Sequence, residues 1–199
     1  EIALPVCPWA ALAADLDADG DADVVVEDGT SYSIVVLWNE GKQSFRIGEP
    51  FQLPKTYLPF AAGDFDGDGD LDLAFSYEPD SLVSFLLNDR EGNLSAGRPL
   101  LTGGEALRGC ATDLDGDGEV DLLVANDVAE PGSGFGTETN RVSILAADGS
   151  RDDLPLLPKR AVAERILDAV RALLDARADA GQTGERPAHA GEHEGGDGS

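Results

Sequence analysis

The 199 residues carry 39 acidic and 14 basic side chains, a formal charge of -25, with 42% hydrophobic residues. That length and apolar content support a packed domain without a disulfide scaffold. The charge argues against nucleic acid and against anionic membranes as partners, since both would repel the chain, and no apolar run approaches the ~20 residues that span a bilayer.

Methionine is absent even from position 1, so the sequence is expected to be a processed product or an excised piece of a longer translation product. Two cysteines, Cys7 and Cys110, permit one bridge at most and leave the redox compartment open.

Three nine-residue acidic segments recur: DLDADGDAD from Asp15, DFDGDGDLD from Asp64 and DLDGDGEVD from Asp113. Their starts are 49 residues apart, and Asn39/Asn88, Gly48/Gly97 and Pro50/Pro99 repeat at the same offset. A whole structural unit is therefore repeating. A short stretch enters each loop (10–14, 60–63, 109–112), and a brief apolar run leaves it (24–26, 73–75, 122–124). The length and β-branched content of these runs favour buried strands. A third strand is expected at 33–38, 82–87 and 142–146, then a polar turn and a fourth strand near Phe45 or Leu94. Four strands per unit make a propeller blade. The third unit holds ten extra residues within Val128 to Asn140, a loop by composition; its Gly132, Gly134 and Gly136 lack the spacing of a nucleotide-binding loop.

From Lys159 to Arg177, Val162, Ile166, Val170, Leu173 and Leu174 recur at helical spacing. The sequence thus divides into repeats over 1–155, an amphipathic helix over 156–178, and a tail over 179–199 too poor in apolar residues to offset its ordering entropy. The fold class is all-β: three four-stranded blades of a partial or open propeller, one C-terminal helix and a disordered tail. Three blades are too few to close a ring. The chain is accordingly expected to be part of a larger propeller, or to cover an exposed blade face with the helix or by self-association.

The loop pattern D-x-D-x-D-G-x-x-D offers carboxylates at positions 1, 3, 5 and 9 and a backbone carbonyl at position 7. Such a hard-oxygen set suits calcium better than magnesium. Without a cation, so many carboxylates in nine residues would repel. An EF-hand is excluded because position 12 holds Val26, Phe75 and Val124 in place of glutamate.

These spacings resemble the FG-GAP and VCBS families of calcium-loop propeller repeats, relatives of the integrin α-subunit propellers, over roughly residues 8–155. The resemblance implies three Ca2+ sites. The first would use Asp15, Asp17, Asp19 and Asp23 with the carbonyl of Asp21. The second would use Asp64, Asp66, Asp68 and Asp72 with that of Asp70, and the third Asp113, Asp115, Asp117 and Asp121 with that of Glu119. The FG and GAP tripeptides themselves are degenerate here, as Ala61-Ala62-Gly63 shows.

His189 and His193, the only histidines, fall in the tail, which removes histidine-based catalysis and histidine-ligated zinc from the repeats. The expectation is a non-enzymatic, extracellular or periplasmic scaffold for a protein or glycan ligand, with calcium as a structural staple. Trp9, Trp38 and the insertion are candidate contacts, although Trp38 aligns with Leu87 and reads better as packing between blades. The alternative is the propeller portion of a secreted carbohydrate-active enzyme such as a polysaccharide lyase, for which Tyr32, Tyr57, Tyr77, Arg98 and Arg108 are available.

Overall fold

The computed structural model describes residues 7–53, 58–76, 82–102, 106–127, 131–134 and 136–183. They form three antiparallel sheets in chain order and one helix. The first sheet holds β1 (Pro8–Ala14), β2 (Asp23–Asp28), β3 (Ser33–Asn39), β4 (Phe45–Ile47) and β5 (Phe51–Gln52). The second holds β6 (Leu58–Gly63), β7 (Asp72–Ser76), β8 (Leu82–Asn88), β9 (Leu94–Ala96) and β10 (Leu100–Leu101). The third holds β11 (Ala106–Thr112), β12 (Leu122–Asp127), β13 (Thr139–Ala146), β14 (Arg151–Asp153) and β15 (Leu157–Pro158), and α1 (Lys159–Thr183) follows.

Each sheet therefore has five strands where four were expected, because the fourth is broken into two short pieces that both pair with the third. Gly48 marks the first break: its N–H donates to the Val36 carbonyl at 2.8 Å, and a Cβ there would lie 2.9 Å from Trp38 Nε1. Gly97 repeats this against Phe85, its N–H donating to that carbonyl at 3.0 Å. The recurring glycines thus let the outermost strand cross closely over its neighbour before resuming.

Apolar side chains on both faces of the middle strands explain why the sheets stack. Val25, Ile34, Val36 and Trp38 of the first sheet pack against Leu73, Phe75 and Leu86 of the second. Ala74, Val83 and Phe85, on the other face of the second sheet, meet Leu123, Ala125 and Leu145 of the third. The entering strands β1, β6 and β11 come side by side along the stack.

The third sheet carries a one-residue slip. Thr112 pairs with Leu122, whereas Ala14 and Gly63 pair with Asp23 and Asp72. Leu123 opposite Leu145 consequently takes the place that Leu73 opposite Leu86 holds in the second sheet. The slip restores the common orientation, so that Leu122, Val124, Val142 and Ile144 point away from the second sheet. There α1 covers them with Val162, Ile166, Ala169, Val170 and Leu173. The helix lies where a following sheet would pack. It begins three residues after the expected start, since β15 occupies Leu157–Pro158, and it runs five residues past the expected end to Thr183. No helix among the described residues is long and apolar enough to cross a membrane.

Trp38 is 4% exposed in the core between the first two sheets, with the Arg46 guanidinium 5.4 Å from its ring centroid. Trp9, skipped by a bulge in β1, is 68% exposed and lies over Gly29. Cys7 and Cys110 are both free thiols and exposed. Tyr57, Tyr77, Val128 to Glu130, Phe135 and both histidines fall outside the described residues.

Candidate metal centre

Each acidic loop connects an entering strand to a middle strand; position 9 opens the latter in the first two units and directly precedes it in the third. Asp23 is fully buried; its Oδ2 accepts the Leu16 N–H at 2.9 Å and its Oδ1 the Asn39 N–H at 2.7 Å. Asp72 does the same with Phe65 at 3.0 Å and Asn88 at 2.9 Å. These bonds fix the mouth of the loop to the end of the third strand.

Position 1 organises the turn itself. Asp64 accepts the Gly67 and Gly69 amides at 2.7 and 2.8 Å, and Asp113 accepts those of Gly116 and Gly118 at 2.7 and 2.9 Å. The glycines at position 6 have φ of +95°, +89° and +99° (Gly20, Gly69, Gly118), a region that only glycine enters freely. In the first loop position 4 is Ala18, also left-handed at φ +58°, where the other loops have Gly67 and Gly116. There Asp15 Oδ1 accepts the Asp19 amide at 3.1 Å in place of the position-4 amide.

Three carboxylates converge in every loop: Asp15, Asp17 and Asp19; Asp64, Asp66 and Asp72; Asp113, Asp115 and Asp121, each group with oxygens within 4.8 Å of one another. Of the expected ligands, Asp23, Asp68 and Asp117 thus stand outside these tightest groups. The position-5 side chains Asp19, Asp68 and Asp117 accept the position-7 amides of Asp21, Asp70 and Glu119 at 2.8, 2.9 and 3.0 Å. An all-oxygen donor set of this density fits a hard divalent cation. Electrostatics point the same way. Burial pushes the Asp72 carboxyl up to about 7 against its amide bonds, with Asp66 and Asp68 adding to the rise. Asp17 is raised by burial and then by Asp23, and Asp66 by burial and then by Asp68.

The loops are laced together. Asn88 Nδ2 donates to the Leu16 carbonyl at 2.7 Å, tying the first loop to the second sheet. The Val120 N–H donates to the Asp64 carbonyl at 2.9 Å, and Asp64 and Glu119 form a parallel bridge. Gly63 permits this approach, since a Cβ on it would collide with Val120 Cγ2.

Two arginines reach the loops. Arg90 sits on the rim of the second, donating to the Gly69 carbonyl at 2.6 Å and pairing with Asp70. Arg177 of α1 enters the third, pairing with Asp115 and Asp121 and lying 3.7 Å from Asp117. Sequence reasoning passed over Arg177. Its signal was its place one turn beyond Leu173 on the apolar stripe.

Sheets that each contain an aspartate loop with converging carboxylates define an acidic-loop repeat protein. Residues 15–75 match the FG-GAP-like repeat family. Residues 68–174, just over half of the chain, match the DNA/pantothenate metabolism flavoprotein C-terminal domain. By that match the chain belongs to the DNA/pantothenate metabolism flavoprotein C-terminal domain family, while residues 15–75 carry an FG-GAP-like repeat. It is similar to the Coenzyme A biosynthesis bifunctional protein CoaBC of Bacillus subtilis (strain 168), 45% identical over 64 residues that make up 32% of this chain and 14% of that protein. The second match crosses from the repeats into α1 and takes in the third sheet and the helix as far as Leu174.

Proposed function

We propose that the chain is a calcium-stapled run of three β-propeller blades that presents loops to an extracellular protein or glycan ligand. The observation that carries this reading is the convergence of three carboxylates at the same place in each of three consecutive sheets. The common strand order, the face-to-face stacking and the adjacency of β1, β6 and β11 support the propeller arrangement. Calcium at each loop would neutralise its converging carboxylates, among them Asp17, Asp66 and Asp72, which burial drives toward protonation, and join the strands on either side. Trp9, exposed and braced on Gly29, is the candidate contact residue.

Thermal melts in millimolar calcium chloride and in excess EDTA test the staple. A site filled at a hundredfold excess over its Kd adds about 2.7 kcal/mol. At this chain length that is about 5–10 °C per site. Equal melting temperatures would overturn the reading.

A second reading follows from the 45% identity to CoaBC and the match over residues 68–174: the C-terminal half takes part in coenzyme A biosynthesis. It ranks second because the matched stretch is 14% of that relative. Growth rescue of a CoaBC-depleted Bacillus subtilis by this chain would establish it, and failure of a well-expressed chain to rescue would remove it.

A further inference from the structure

We propose that Arg177 is a built-in cation for the third acidic loop, so that the clasp of α1 onto this loop and a divalent ion in it exclude one another. The inference rests on the cation reading of the loops. Its basis is what distinguishes the third loop from the other two. The one-residue slip of β12 sends the Ala147 N–H to the Asp121 backbone carbonyl, at 3.0 Å. In the first and second loops the amide at the end of the third strand, Asn39 or Asn88, instead donates to Oδ1 of Asp23 or Asp72. At Asp121 that Oδ1 faces the Arg177 guanidinium.

The guanidinium pairs with Asp115 and Asp121, two of the three residues whose oxygens converge, and its side chain is only 17% exposed. Its planar fork meets several carboxylates together, as a metal ion would. Arg90 does nothing comparable at the second loop: it touches Asp70 and the Gly69 carbonyl, outside the converging group, and is 47% exposed. The position of Arg177 is fixed by the packing of Val162, Ile166, Ala169, Val170 and Leu173 against the third sheet. A cation at the third loop must therefore displace Arg177, and with it the last turns of α1.

Calorimetric titration of the whole chain with calcium chloride, beside Arg177→Gln, tests this. A loop open only about a tenth of the time binds about tenfold more weakly. The wild type is thus expected to show two tight sites and a third at least about tenfold weaker, and Arg177→Gln three comparable sites. Hydrogen exchange on the wild type provides a readout that needs no variant: amides of residues 170–178 should lose protection only as the third site fills. Three comparable sites in both proteins, or unchanged protection at the third equivalent, would overturn the clasp while leaving the staple standing. No calcium bound by either protein would remove both.

Discussion

Ala18 and Glu27 are two residues that a rule of local chemistry would have chosen differently. Ala18 occupies a left-handed position where the other loops have glycine, and an L-residue there costs about 1 kcal/mol. Ala18→Gly should raise stability in EDTA by about 0.5–1 kcal/mol, read as a shifted urea midpoint with unchanged slope. It should also let the position-4 amide bond to Asp15, as Gly67 does to Asp64. A fall in stability would show that unfolded-state entropy outweighs the strain. Glu27 is fully buried, with no hydrogen-bond partner for either carboxylate oxygen among the described residues. Its ladder position, opposite Ile34, is that of Ser76 opposite Val83 and Asn126 opposite Val142, which also carry buried unpartnered oxygens. Burial, and then the Asp28 charge, raises the Glu27 carboxyl above its ordinary 4.5. The fold therefore favours the protonated form, and this contribution is complete below the unfolded value and is lost as pH rises through the raised one. Glu27→Gln should leave stability near pH 4 little changed and increase it at neutral pH by about 1–3 kcal/mol. Measuring the difference between variant and wild type, in EDTA at each pH, cancels the other carboxylates; a difference that does not grow with pH would refute it.

At the scale of elements, the loops and the strands flanking them were legible because aspartate spacing and short apolar runs are local signals. The split of the outermost strand was not, because pieces of two or three residues carry no periodicity; Gly48 and Gly97 repeated visibly, but their role depends on contact with Val36, Trp38 and Phe85. The length of α1 was underestimated for a different reason. The large apolar residues end at Leu174, yet Ala176, Ala178 and Ala180 continue the helix by intrinsic propensity. The slip in the third sheet was also hidden, since it follows from which face must meet the second sheet and which must meet α1. The lacing of loops is the element-scale feature most open to attack. Gly63→Ala would drive a methyl group into Val120 and part the bridge between Asp64 and Glu119. Overpacking of this kind costs about 1–3 kcal/mol. The expected result is a lower urea midpoint, partly recovered by Val120→Ala in the same chain; no recovery in the double variant would place the strain elsewhere.

The whole molecule carries -25 charges, fifteen acidic side chains of its 39 lying in three loops at the same level of the sheet stack. Such a distribution makes the compact state repel itself, and the repulsion is concentrated where the sheets are laced together. Two remedies act at different ranges. Ions bound in the loops would cancel charge at its source, whereas dissolved salt only shortens the reach of the field, from roughly 20 Å at about 20 mM to roughly 6 Å at about 300 mM. In EDTA, raising sodium chloride over that interval should therefore raise the melting temperature, because loop-to-loop repulsion is then unrelieved. In millimolar calcium the same addition should change it much less. Arg177 already supplies one positive charge to the third loop, so Arg177→Gln should steepen the salt dependence in EDTA. Melting curves at four salt concentrations, with and without calcium, measure these slopes. Parallel slopes in the two conditions would mean that the loops are not where the charge problem lies, and that the apolar stacking between sheets alone sets the stability of the chain.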